Sequence, residues 1–272
     1  MSAIPQLVAV GEVLPEAWEK SLFLLKEQGI RSKKESYSHT SGVDEILEAS
    51  MKMIVKNPLQ EPMLHRGCEG LATLEEYVEE VLRGTKDTHI GKGWDYTYHQ
   101  RLFAYQGQGA PIDQIDLLAE KLSKTPFSNR AQAVTWIAQT DAKIEGPPCL
   151  QRVWCKIVDD RYLELHTSWR SREAYIAAFM NMYAMVNLQK LIAEKLHVKV
   201  GQYVDDSDSY HIYAENFDEF EGMLQTVLGQ KPKGRTPWEN SSVLKLFRKH
   251  LVAQPPLVKT ESARILKCPR FI

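Results

Sequence analysis

The sequence predicts an α+β fold, a mixed β-sheet with surrounding helices. Three observations predict it. A hairpin signal lies near the middle of the chain, helical periodicity flanks it on both sides, and no linker, repeat or low-complexity tract divides residues 1–272. One domain spanning 1–272 is therefore expected, and that length suffices for a full hydrophobic core.

The elements follow in chain order. Trp18, Leu22 and Leu25 recur at helical spacing over 16–28, and Gly29 supplies a stop. Val43–Val55 reads as a second helix, ended by Asn57-Pro58 because a residue before proline disfavours helical backbone. A third covers 74–82 and closes at Gly84, and 85–110 reads as loop plus a short element. A helix is expected over 112–122 and a strand over 130–137. Leu150–Val158 and 162–167 flank Asp159-Asp160, which gives the hairpin. Residues 172–196 read as a long helix with Ser171 as N-cap, because Ile176, Phe179, Met180, Tyr183 and Val186 share one face. Two short strands, 200–204 and 210–214, precede helices over Phe217–Leu228 and 241–250. An irregular tail occupies 252–272.

Composition narrows the function classes. Charged residues make up 25% and the net charge is -1, so no basic face for duplex nucleic acid is implied. No stretch approaches the ~20 apolar residues of a membrane helix, and the first residues lack a signal-peptide pattern. Cys68, Cys149, Cys155 and Cys268 show neither CxxC nor zinc-ligand spacing, which fits free thiols in a reducing cytoplasm. The eight histidines form no HExxH motif, so no metal is expected.

Chemistry concentrates between Gly146 and Phe217. A cysteine precedes a strand, Arg170-Ser171 precedes the expected long helix, and His211-Ile212-Tyr213 lies on a strand. Arginine, hydroxyl and helix dipole together suit a phosphate. Cations close to Cys149 would lower its thiol pKa from ~8.5 toward neutrality and make it a nucleophile. A thiolate beside a phosphate ester suggests covalent chemistry on a nucleotide.

Pro147-Pro148-Cys149, Arg170-Ser171, Asn181 with Tyr183, and His211-Ile212-Tyr213 resemble, in order and spacing, the signature of the thymidylate synthase family. Ile112-Asp113-Gln114-Ile115 and Val200-Gly201 also match, and the short connections look like the compact archaeal-type branch. The resemblance covers roughly half the chain, about residues 96–217. It implies a homodimer that transfers a one-carbon unit from 5,10-methylenetetrahydrofolate to C5 of dUMP, giving dTMP and dihydrofolate. Cys149 corresponds to the thiolate that adds to C6. Arg170 and Ser171 correspond to phosphate ligands. Arg130 corresponds to the second arginine of a pair that the family donates across its dimer interface. Asn181 corresponds to the residue that reads N3–H and O4 of uracil, since an amide offers both acceptor and donor. His211 and Tyr213 correspond to the sugar 3′-hydroxyl ligands, Tyr98 to an active-site tyrosine, and Trp94 to a tryptophan beside the folate. Counting back from Gly84 places Tyr77 at the family's proton-relay glutamate. A shift of one residue brings Glu76 there, among Glu75, Glu79 and Glu80.

Several positions depart from the family pattern. Asn129 stands for the first arginine of the pair, which removes a cation; either affinity for a dianionic phosphate is lower or another residue such as Arg31 or Arg66 compensates. Glu173 stands for a folate-contacting aspartate, Ala177 for a glycine, Trp169 for a glutamine and Leu150 for a histidine. Two other readings stay open: a pyrimidine-nucleotide C5-hydroxymethyltransferase on the same scaffold, and a non-catalytic nucleotide-binding homodimer. The resemblance also implies that the carboxylate of Ile272 closes the site.

Overall fold

A computed structural model describes residues 3–35, 43–65, 67–68, 70–107 and 109–229. The helix expected over 241–250, the tail, Ile272 and Arg66 lie outside the described residues.

Two long strands form the spine of one mixed sheet. They are β3 (Val43–Val55) and β8 (Lys199–Tyr213), paired antiparallel. β1 (Gln6–Gly11) runs parallel to the second half of β3, and β2 (Ile30–Glu35) antiparallel to its first half. The other edge of β8 is likewise shared, by β6 (Tyr162–Trp169) and the two-residue β7 (Arg172–Glu173), both parallel to it. β5 (Leu150–Val158) and β4 (Gln132–Val134) continue antiparallel to the far edge.

The segment Val43–Val55 is a strand and not the expected helix. From Ala49 onward its residues alternate, with Ala49, Met51, Met53 and Val55 fully buried and Lys52 exposed. That two-residue period is the strand signature. Leu47, Met51 and Val55 also sit at i, i+4, so the local pattern satisfies both periods. Pairing on both edges decides between them. The two short strands expected over 200–214 are one strand. Ala49 pairs with Tyr210 and Met51 with Ser207, so β8 accommodates one extra residue as a bulge. The polar run Asp205 to Ser209 stays in the sheet because Asp205 is buried against Arg172, Tyr203 and Thr167. The Asp159-Asp160 hairpin is present, with φ 52 and φ 51. Two left-handed residues are what a tight hairpin turn requires.

The helices are α1 (Leu14–Gln28), α2 (Leu71–Arg83), α3 (Tyr98–Phe103), α4 (Gln114–Lys124), α5 (Ala138–Asp141), α6 (Ala178–Lys195) and α7 (Phe217–Leu228). Leu7, Met53, Asp205, Tyr203, Leu165, Val153 and Ala133 share the helix-covered face of the sheet, and all are buried. α6 is buried nearly all round and links β6 and β8 through the core, as its almost continuous apolar sequence demands. Trp18 of α1 is fully buried, donates its indole N–H to the Ala174 carbonyl at 2.9 Å, and packs edge-on to Phe179 at 5.1 Å. Burying such a ring contributes about 2–3 kcal/mol. It also ties the 170–177 segment to α1.

Candidate active site

The site forms at the end of β5 and β6. Cys149 is half-buried immediately before β5. The backbone around it is held from two sides. Arg170 N–H donates to the Cys149 carbonyl at 2.9 Å, and Leu150 N–H donates to the Tyr98 hydroxyl at 3.2 Å. The Arg170 guanidinium donates to the Pro148 and Pro147 carbonyls at 3.0 and 2.6 Å. Proline carries no backbone N–H, so these residues offer carbonyls alone to a neighbouring guanidinium. Cys155 is fully buried inside β5, and the Cys68 thiol donates to the His65 carbonyl at 2.8 Å.

The expected lowering of the Cys149 pKa is not found. Burial pushes the thiol above its ordinary value, and the cations of Arg170, Lys34 and Arg172 only partly oppose this. Desolvation penalises the thiolate more than three cations stabilise it.

The long helix starts later than its periodicity suggests. α6 begins at Ala178 with Ala177 as its N-cap, so Ser171 is not the cap and Arg170-Ser171 lie outside its first turn. Two buried charged residues prevent helix here. Arg172 forms a two-pronged ion pair with Asp205, one contact at 2.8 Å, and both side chains are almost wholly buried. The Glu173 carboxylate accepts from the backbone N–H groups of Ile176 and Ala177, the latter at 3.2 Å. β7 then pairs with Tyr210 and His211, which fixes 172–173 as strand. Arg170, half-buried, and Ser171, buried, lie adjacent at the exit of β6.

On the helical side, Asn181 of α6 is buried and donates through Nδ2 to the Tyr77 hydroxyl at 2.8 Å. Tyr96 and Tyr98 are buried beside it, with ring centroids 5.7 Å apart, and Tyr98 meets Trp169 edge-on at 5.9 Å. Burial and the Cys149 thiol hold all three tyrosines protonated, and neighbouring phenols add to this for Tyr77 and Tyr96. Glu76 is exposed to solvent, whereas Tyr77 faces the site. The buried acid of α2 is Glu80, one turn on from Tyr77. Its Oε1 has no hydrogen-bond partner among the described residues. Burial raises its carboxyl to about 7.

His211 and Tyr213 stand on one face of β8, with ring centroids 5.0 Å apart. Lys34 of β2 reaches both, at 3.0 Å from His211 Nε2 and 2.5 Å from the Tyr213 hydroxyl. Burial and Lys34 lower the imidazole to about 3, so His211 is neutral. Glu173 pairs with His211 across β7 and β8. Burial raises its carboxyl to about 7, against the pull of the backbone N–H groups it accepts from and of Lys34.

Among the described residues, Arg130, Trp94 and Glu76 take no part in these contacts. Arg130 is exposed and precedes β4. The pairing of Gln132 with Trp154 puts it at the opposite end of β5, roughly 20 Å from Cys149. Trp94 is half-buried against His89 at 5.5 Å. Glu76 points away, as described. Arg31, a suggested replacement cation, pairs with Glu45 at the surface at 3.2 Å and lies over Phe217. Sequence reasoning missed Lys34 and Arg172. The alternation of Ile30, Ser32 and Lys34 with exposed Arg31, Lys33 and Glu35 was the available signal for the former.

Comparison with known proteins matches residues 65–248, more than half of the chain, to the family model described as thymidylate synthase. The chain belongs to the thymidylate synthase family. A protein named "Putative thymidylate synthase" from Methanosarcina barkeri is 30% identical over 216 residues, 79% of this chain and 94% of that protein. One of the same name from Methanosarcina mazei is 29% identical over 214 residues, 79% and 93%. Another, from Methanothermobacter thermautotrophicus, is 36% identical over 152 residues, 56% and 64%. These relatives place the chain on the archaeal-type branch. The family match begins after β3. Hence β1, α1, β2 and β3, including Lys34, lie outside it. Among the described residues no helix is long and apolar enough to cross a membrane, and no cluster of metal-ligating side chains occurs.

Proposed function

We propose that this protein transfers a one-carbon unit from 5,10-methylenetetrahydrofolate to C5 of dUMP, giving dTMP and dihydrofolate. The observation that carries this reading is the convergence of Cys149, Arg170, Asn181, His211 and Tyr213, from four separate stretches of chain, on one end of the sheet. The Cys149 thiolate adds to C6 of the pyrimidine, and the displaced electron pair makes C5 nucleophilic. C5 then bonds to the one-carbon unit and loses its proton, and the folate nitrogen leaves. Hydride from the resulting tetrahydrofolate completes the methyl group as the C6–S bond breaks. Asn181, held by Tyr77, reads the uracil edge. Arg170 and Ser171 take the phosphate, His211 and Tyr213 the sugar. Tyr98 lies against the thiol. Glu173 and Trp94 are assigned to the folate side.

The same reading includes a homodimer in a reducing cytoplasm. Helices cover one face of the sheet. The other carries Val8, Val10, Lys52, Ile54, Trp154 and His166, all exposed or half-buried. A second copy seated there would cover them, and Arg130 would serve the partner's phosphate site. Sedimentation at micromolar concentration tests this, and a monomer sinks it.

The decisive assay incubates the protein with dUMP and methylenetetrahydrofolate and weighs the product. A methylated nucleotide with dihydrofolate supports the proposal. A hydroxymethylated nucleotide with tetrahydrofolate moves the assignment to a hydroxymethyltransferase, and no product under saturating conditions refutes both.

A further inference from the structure

Lys34 is a cation of this site that lies outside the family-matched residues. It sits on β2, which pairs only with the first half of β3, and β3 in turn carries Glu48 opposite His211. Lys34 and Ser32 therefore project on the same side of the sheet as Glu48 and His211. Ser32 donates to Glu48 at 2.7 Å, and Ser209 donates to the other oxygen of Glu48 at 2.5 Å. Beside this polar row the Lys34 ammonium reaches His211 and Tyr213.

Hydrogen-bond chemistry fixes the roles. An ammonium only donates, so His211 Nε2 accepts from it. A neutral ring then carries its proton on Nδ1, which faces the Ser209 carbonyl at 3.3 Å and the Ser209 hydroxyl at 3.2 Å. Tyr213 accepts from Lys34 as well. Lys34 thus bridges the two rings, and the phenol oxygen and the ammonium keep hydrogen-bonding capacity to spare. A sugar hydroxyl both accepts and donates, and this set matches it: it accepts from a remaining N–H of the ammonium and donates to the second lone pair of the Tyr213 oxygen.

We propose that Lys34 is a nucleotide-binding residue that holds the sugar 3′-oxygen together with His211 and Tyr213. This deepens the function proposed above and rests on it. The contribution comes from the N-terminal strand, outside the family-matched residues. A hydrogen bond from a charged donor to a buried neutral group is among the stronger ones, so its loss is measurable.

The test is calorimetric binding of dUMP and of 2′,3′-dideoxyuridine 5′-monophosphate to the full chain and to Lys34→Met. For dUMP, the substitution should weaken binding about 10- to 100-fold. For the dideoxy nucleotide, which lacks the 3′-oxygen, the two proteins should differ by less than about 3-fold. Lys34→Gln, which keeps a donor on a similar stem, should fall between them. It also serves if the methionine variant does not fold by circular dichroism. Equal dUMP affinity in a folded variant overturns the assignment of Lys34 while leaving the function intact. Equal weakening for both nucleotides overturns the 3′ contact. Failure of the unsubstituted chain to bind dUMP overturns the dUMP reading and the 3′ contact with it.

Discussion

Replacing Glu80 with glutamine should change stability in a strongly pH-dependent way. Glu80 is 4% exposed on the inner face of α2, and its Oε1 finds no hydrogen-bond donor among the described residues. Burial is the main cause of its raised pKa. Asp87 and Glu76 push in the same direction, and Lys86 pulls back. The carboxyl moves from 4.5 to about 7 on folding. Each unit of separation is worth about 1.4 kcal/mol. The folded state is therefore penalised by about 3 kcal/mol once the pH exceeds both values. The sign follows from the direction. A folded-state pKa above the unfolded one gives stability that is fully present below 4.5 and lost as pH rises through about 7. Glutamine does not titrate, so the variant escapes this loss. Glu173 is raised to a similar value but is present in both proteins and cancels in the difference. Urea unfolding followed by tryptophan fluorescence, from about pH 4 to about pH 8, reads the gap directly. Glu80→Gln should gain about 3 kcal/mol on the parent across that window. A gap flat to within about 0.5 kcal/mol would refute the reasoning, because it would mean that the Glu80 carboxyl is hydrated.

Four further outcomes follow from named contacts. Cys149→Ser should lower product formation by at least about a thousand-fold in the mass assay while dUMP still binds, since a serine hydroxyl is a far poorer nucleophile for C6. Asn181→Asp should shift preference from dUMP toward dCMP, because a protonated carboxyl complements N3 and the exocyclic amine of cytosine; competition between the two nucleotides measures it. Asp205→Ala should destabilise the protein by about 3–5 kcal/mol in urea, since it leaves the Arg172 cation buried without its ion-pair partner. Gly84→Ala should lower the melting temperature by several degrees. Its φ of 66 is left-handed, and a Cβ there would lie 2.4 Å from His99 Nδ1.

Where local chemistry set the structure, it was readable. α7 occupies Phe217–Leu228 as its periodicity indicates, and α2 stops at Gly84, whose left-handed backbone caps it. The Asp159-Asp160 turn forms where two polar residues separate two apolar runs. The motif residues were legible too, because each is a residue type with few chemical substitutes at a fixed place in the order. The misreadings all concern long-range partners. Val43–Val55 fits a helical and a strand period equally, and only its neighbours on both edges make it a strand. The 172–177 stretch has helical periodicity, yet Asp205, thirty-three residues on, captures Arg172 and holds the backbone extended.

The sequence by itself determined the α+β class, the family and the nucleophile candidate. These depend on local periodicity and on ordered side-chain chemistry, which the chain carries wherever it folds. The tertiary structure decided the rest. It turned Glu76 outward and Tyr77 with Glu80 inward, because the face of α2 is set by its packing on α6. It started α6 at Ala178, beyond Arg170-Ser171, raised the Cys149 thiol by burial, and brought Lys34 across β3 to His211 and Tyr213. Desolvation and proximity between distant residues exist only once the chain is folded.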